Sequence, residues 1–399
     1  MTTEPRFVQI HTLHTYPAAL LNRDDAGLAK RLPLGNAMRT RISSQCLKRH
    51  WRVTDDPFAL ANLQVPMAVR SRVTLELIRD QIAAQGIAAE LAQTAVEALR
   101  NAGLVDKAGK AIKGEDALKT GQAVLLGRAE IDFLVSHCVA LANAHPTAAA
   151  LTTAVQAMLK EEKANIQALK LGSGLEAALF GRMVTSDILA SRDAAIYVAH
   201  SFTVHPAQVE NDYFTVVDDL LRETGEIGSA GIFDTELASG LYYGYVVVDV
   251  RQLVENLEGI PAGACFAAST PPVRRELASQ VVTNLLHLIA TVSPGAKRGS
   301  TAPFDWAKFM LVEIGDWQPR SLAGAFHDAL PLADSSQRPL RERAATCLGA
   351  EIAKLDQAYG APLSRGLMTL DAIDIPMAKR LSLSELATWT AATLVKGAC

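Results

Sequence analysis

Apolar and polar residues alternate over Phe7–Tyr16 (FVQIHTLHTY), with Phe7, Gln9, His11 and Leu13 on one side and Val8, Ile10 and Thr12 on the other. That period of two, carried by β-branched and aromatic residues, predicts a first strand. Residues 17–42 are charged, contain Gly and Pro, and read as a loop. In SSQCLKRHWRV, Ser43 or Ser44 caps a short helix. Gln45, Lys48 and Arg52 share its polar face, and Leu47 and Trp51 its apolar one. From 74 to 170 the period changes to 3.6: three Ala/Leu-rich amphipathic runs predict an all-helical insertion, ended by the Gly-Ser-Gly at 172–174. Strands are expected again over Ala194–His205 and Leu241–Val250. The polar, acidic stretch 206–240 between them predicts a long projecting hairpin, with Tyr213 and Phe214 exposed among Asn211, Asp212, Asp218 and Asp219. Pro271–Val292 opens with Pro-Pro and predicts a helix. The loop SPGAKRGST follows, then a fourth strand over Lys308–Ile314. Weaker helical patterns occupy 319–330, 338–358 and 383–396.

With insertion and hairpin set aside, the order is strand, helix, strand, strand, helix, strand. That is the βαββαβ order of an α+β, ferredoxin-like (RRM-like) fold. The expected division is a palm from 1–70, 185–205 and 240–399, helical fingers over 71–184, and a thumb hairpin over 206–239.

Composition narrows the function classes. The chain has 399 residues, 49% hydrophobic and 20% charged, enough for a well-buried core. Its first ten residues lack an apolar h-region, and no run approaches ~18 apolar residues, so a cytoplasmic protein without membrane spans is expected. Five cysteines without a C-x-x-C pair predict free thiols, and no metal or other cofactor is expected. The net charge of −3 is unevenly placed: residues 1–52 hold nine Lys+Arg and three Asp+Glu, and the other 347 hold 30 and 39. A confined basic cluster on an acidic protein points to a local anion-binding surface.

Enzyme motifs are missing: no G-x-S-x-G, no P-loop, no H-E-x-x-H. His11 and His14 fall on opposite faces of a strand, and His327-Asp328 stands alone. The basic stretch is more informative. Arg23, Lys30, Arg39, Arg41, Lys48, Arg49 and Arg52 lie among Asn22, Ser43, Ser44 and Gln45, an inventory suited to nucleic-acid backbone contacts. A solvated charged loop would have the same composition, and Lys297-Arg298 folding nearby would strengthen the case for a site. Phe180-Gly181-Arg182-Met183 and Tyr213-Phe214 are candidate base contacts, with core packing as the alternative.

The runs LLNRDD (20–25), Lys30, RTRISSQCLKR (39–49), FGRMVTSD (180–187), DYFTVVDDL (212–220), GSAGIFDTELASGLYYGY (228–245) and SPGAKRGSTAPF (293–304), in this order, resemble the backbone (Cas7-type) subunit of the CRISPR Cascade surveillance complex, subtype I-E. The resemblance covers roughly residues 6–315 and departs most over 31–38. It implies a non-catalytic subunit that polymerises head to tail along a guide RNA (crRNA) and presents the spacer to target DNA. Partners would be the large, small, Cas5-type and Cas6-type subunits. RNA-backbone contacts would fall on Arg23, Lys30, Arg41, Ser43, Gln45, Lys48, Arg49 and Arg52, with Lys297 and Arg298 added by the basic loop. Base wedging would fall on Met183, Phe214 and Thr215. Two alternatives stand beside it: an RRM-fold CRISPR endoribonuclease using Asp24 or Asp25, and an α+β metabolic enzyme.

Overall fold

A computed structural model of the chain describes residues 3–63, 65–104, 118–120, 123–162, 173–182, 191–217, 229–333, 335, 337–360 and 363–399. Met183, Gly172, Asp218 and Asp219 lie outside the described residues. The chain divides into two compact units, one of residues 1–59, 197–248 and 279–399, the other of 60–196 and 249–278.

The first unit is built on a large sheet. Its strands are β1 (Phe7–Ala19), β2 (Arg31–Leu34), β3 (Ala37–Ile42), β6 (Ile196–Val198), β7 (Ser201–Thr203), β8 (Gln208–Val217), β9 (Ser229–Asp249), β10 (Phe309–Gly315), β11 (Ser364–Thr369) and β12 (Ala378–Arg380). The order is β12-β11-β10-β1-β9-β7-β3-β2, with β6 and β8 also paired to β9. The four strands expected from the sequence therefore lie as fourth, first, third, second (β10, β1, β9, β7). β1 runs antiparallel to β10, from Phe7 opposite Gly315 to Leu13 opposite Phe309. Every residue of β10 and every residue of β1 from Phe7 to Leu13 is buried, so this centre is covered on both faces.

Several expectations are corrected here. The 17–42 loop contains the hairpin β2–β3, whose turn holds Gly35 at φ 58°. A Cβ on Gly35 would come within 1.7 Å of the His327 carbonyl oxygen, so backbone meets backbone there. Over 319–330 only the 3-10 turn Ala323–Phe326 forms; it seats Phe326 in the core beside Leu13, Tyr243, Leu311 and Leu348. β11 and β12 extend the sheet past β10. The later helices, Leu340–Tyr359 and Leu383–Lys396, follow their apolar periods, and the second opens with a Ser382/Glu385 capping box.

The sheet interior is ionic as well as apolar. Glu313 on β10 accepts two bonds from Arg320 (2.6 and 2.9 Å) and one from Arg365 Nε (2.7 Å). Arg365 also forks onto Asp356 (2.6 and 2.7 Å). His11 Nε2 lies 3.2 Å from Glu313, and its Nδ1 meets the Tyr243 hydroxyl at 2.9 Å. Burial pushes His11 below its ordinary pKa, more than Glu313 restores. Glu313 is itself buried, yet hydrogen bonds from His11 and Arg320 hold it well below the carboxylate range.

The second unit is mainly helical. It includes α2 (Thr74–Ala84), α3 (Ala89–Asn101), α4 (Arg128–Ala144) and α5 (Ala148–Glu161), and a short two-stranded sheet of β4 (Val69–Ser71) and β5 (Val124–Leu126). Leu75, Ile78, Ile82, Val96, Leu99, Leu134, Cys138, Val155 and Leu159 form one apolar cluster at helical spacing. Arg182, read from sequence beside a base contact, is instead buried here: its guanidinium forks onto Glu130 at 2.6 and 2.8 Å. Val250–Glu258, capped by Asp249, also belongs to this unit. Among the described residues no helix is long and apolar enough to cross a membrane.

Candidate nucleic-acid interface

The candidate interface lies in the sheet unit, around α1 (Ser44–Val53). Ser43 is its N-cap: the hydroxyl accepts from Cys46 N–H (3.3 Å), while Ser43 N–H donates to the Asn22 side chain (2.9 Å). Ser43 is buried, so its oxygen serves the cap, and the amide-rich helix start faces the loop that carries Arg23 and Lys30.

That loop is built by Asp24. Its Oδ1 accepts from Ala26 N–H (2.9 Å) and Leu28 N–H (3.0 Å), and Arg23 bridges Ala29 across the neck. Lys30 N–H bonds the Asn22 carbonyl (3.0 Å) and Lys30 C=O accepts from Arg41 N–H (2.7 Å). Glu236 on β9 holds the loop from below: it accepts from Ala29 N–H (2.8 Å) and pairs with Arg31. Arg23 and Arg49 are exposed, as is Gln45. Lys30, Arg41, Lys48 and Arg52 are half-buried.

The charges lie close enough to act on one another's neighbours. Arg41 reaches His200 Nδ1 at 2.8 Å. His200 is pushed down by burial, then by Arg41 and Lys30, and its Nδ1 accepts from the Arg41 guanidinium, which can only donate. Burial raises the Cys46 thiol, and the charges of Lys30 and Arg49 pull against it. His50 is lowered first by burial and further by Arg298 and Arg49, against a backbone bond to Cys46 that raises it. Burial alone lowers Lys48. Lys30 and Arg298 thus lie near α1, which itself carries Arg49, and the 293–301 loop folds against the first segment, with Ala296 N–H bonded to Leu20 C=O at 2.8 Å.

Lys297 links this face to the hairpin. It sits in the left-handed region (φ 50°), donates to Thr235 Oγ1 (2.6 Å) and lies 5.7 Å from the Phe214 ring centre. β8 and β9 pair antiparallel with Phe214 directly opposite Phe233. Their rings stack at 5.5 Å and are 39% and 50% exposed, a side-by-side pair open to solvent. Thr215 is exposed opposite Ile232, and Tyr213 opposite Asp234.

Arg39 is not on this face. It is wholly buried and donates to the carbonyls of Thr203 (2.9 Å), Phe326 (3.1 Å) and His327 (3.3 Å). His200, Phe233 and Thr235 were not legible in the sequence as members; register across β8–β9 and β3–β7 brings them in, and no local motif marks them. A surface of several cations with a helix start and stacked rings can neutralise phosphates and cover bases.

Residues 8–395 match the model of a family described as CT1975-like protein. A solved chain from a "CRISPR RNA-guided surveillance complex, pre-nicking" is similar over 97% of this chain and 100% of its own, with 26% identity and a TM-score of 0.73. A chain from a "CRISPR RNA-guided surveillance complex" shares the fold, with 22% identity, a TM-score of 0.56, and coverage of 97% and 99%. No curated protein matches.

Proposed function

The chain belongs to the CT1975-like protein family, and from that membership we propose that it is a guide-RNA-binding backbone subunit of a CRISPR Cascade complex of subtype I-E. The observation that carries the proposal is the gathering of Lys30, Arg41 and Arg298 near α1, which itself carries Arg49, joined through Lys297 to the exposed Phe214–Phe233 pair. The likeness to surveillance-complex chains over nearly the whole length supports the same reading. In it, the strand order β10-β1-β9-β7 is an RRM-like palm, the helical unit the fingers, and the β8–β9 hairpin the thumb.

The cations hold the RNA backbone without sequence preference, and the hairpin rings separate bases. Each copy covers a fixed length of RNA and docks on the next by a heterologous contact, which does not close. The other Cascade subunits cap this row, and the guide so displayed pairs with target DNA. The role is non-catalytic. Asp24, one of the two loop carboxylates of the nuclease alternative, is supported in a structural role by the two amide bonds it accepts.

The test is to mix the protein with RNAs of increasing length and measure mass by sedimentation. Mass that rises in steps with RNA length is expected. A fixed closed dimer on every RNA would overturn the backbone role, and RNA shortened after incubation with Mg²⁺ would overturn the non-catalytic one.

A further inference from the structure

Just past the basic loop the chain displays two large rings, Phe304 at 71% and Trp306 at 70% exposure. The backbone between them is pinned. Asp305 N–H donates to Ser293 Oγ (2.9 Å), and that hydroxyl donates to Asp305 C=O (3.0 Å). Asp305 Oδ2 accepts from Thr15 N–H (2.7 Å), and Oδ1 pairs with Lys308 Nζ (2.6 Å), which offsets its charge. Ala307 N–H bonds Ala290 C=O at 2.7 Å. Pro303 packs over Gly295, where a Cβ would come within 2.5 Å of the proline ring, and the Arg298 stem lies against the same glycine. The rings and the Lys297-Arg298 pair therefore belong to one rigid fold-back of chain.

Two features decide what such rings fit. Pro303 and Ala307 are buried and the half-buried Asp305 lies between Phe304 and Trp306, so a polar residue separates the two exposed rings along the chain. Cations sit on the same fold-back, and a flat partner bearing anions is what exposed rings beside cations accommodate. We infer that Phe304 and Trp306 form a second base-stacking point for single-stranded RNA, distinct from Phe214 and Phe233 on the hairpin. The inference rests on the RNA-binding reading above. Ordering is already supplied by the Asp305 anchors, so stacking there orders little new structure.

The experiment uses the full chain with two labelled probes of equal length, an oligouridylate and an abasic phosphodiester chain. F304A/W306A is expected to bind oligouridylate about tenfold or more weakly and the abasic chain unchanged, since each stacked base contributes on that scale. Oligouridylate should quench tryptophan emission in the wild type and much less in W306F, a variant that keeps a ring and the fold. Equal losses on both probes, or no loss and equal quenching, overturn the inference while wild-type binding keeps the RNA reading. Wild-type binding to neither probe overturns both. A smaller sedimenting species for F304A/W306A than for wild type without RNA would assign the rings to contact between copies and also overturn it.

Discussion

The two units solve burial differently. The helical unit fills its interior with Ala, Leu, Ile and Val at i, i+3, i+4 spacing, and its fully buried Arg182–Glu130 pair is satisfied by a two-pronged contact. The sheet unit buries Glu313, Arg365 and His11 at its centre strands, and Arg39 among carbonyls toward its edge. An apolar core tolerates trimming in proportion to the atoms removed, whereas a buried charge that loses its partner is left uncompensated. The Glu313 cluster of the sheet unit and the Arg182–Glu130 pair of the helical unit are therefore each more sensitive to single changes than the apolar residues around them. All four tryptophans (Trp51, Trp306, Trp317 and Trp389) lie in the sheet unit, so their emission follows that unit alone.

The largest effect is expected from Glu313→Ala. Arg320, Arg365 and His11 lose a shared acceptor, and the sheet unit should lose about 3–5 kcal/mol, read as an earlier urea midpoint in tryptophan emission. A wild-type midpoint would mean that the arginines find other partners and that the contrast between cores is empty. Leu134→Ala in the helical unit should cost about 3 kcal/mol. Helical circular dichroism should then melt earlier while tryptophan emission holds its midpoint. If both signals shift together, the units unfold as one.

Acid sharpens the same contrast. The folded sheet unit holds His11 below its ordinary pKa of 6.5 and Glu313 below its ordinary 4.5, so both shifts stabilise most above those values. The contribution of His11 is lost as pH falls below about 6.5, and that of Glu313 as pH falls further below about 4.5. Urea midpoints taken from pH 7.5 down to 4 should drop in the tryptophan signal, and less in His11→Gln than in wild type. A flat wild-type profile would rule out this linkage. The smallest effect on folding belongs to Arg49→Ala, an exposed side chain. Urea curves should not move, while the slope of log affinity against log salt on single-stranded RNA becomes shallower by about 0.7; an unchanged slope would remove Arg49 from the phosphate-binding face.

Local pattern made part of this legible. α1, the helical runs, the first and fourth strands and the β8–β9 excursion each announce themselves within their own residues, because a period of two or 3.6 needs no distant partner. What escaped depends on pairing across the chain. β2 and β3 look like a charged loop until β7 supplies an edge for Arg41 and Ile42. Arg39 and Arg49 are equal in composition, yet carbonyls at 203, 326 and 327 withdraw the first from the surface. The Glu313 cluster joins residues 11, 313, 320, 356 and 365, and no window of sequence contains it. Within the candidate site, the cations were readable as a cluster, and Lys297–Thr235 and Phe214–Phe233 were not, because strand register decides them.

The pairing of Phe7–Leu13 with Phe309–Gly315 also sets a schedule for synthesis. β1 is buried on both faces in the fold over Phe7–Leu13, and it leaves the ribosome well ahead of its β10 partner. At roughly 5–20 residues per second, that wait is on the order of 15–60 s. The helical runs from 74 to 162 are complete well before it ends and can condense on local contacts. During the interval β1 is an unprotected edge, through which newborn chains are exposed to one another or to chaperones.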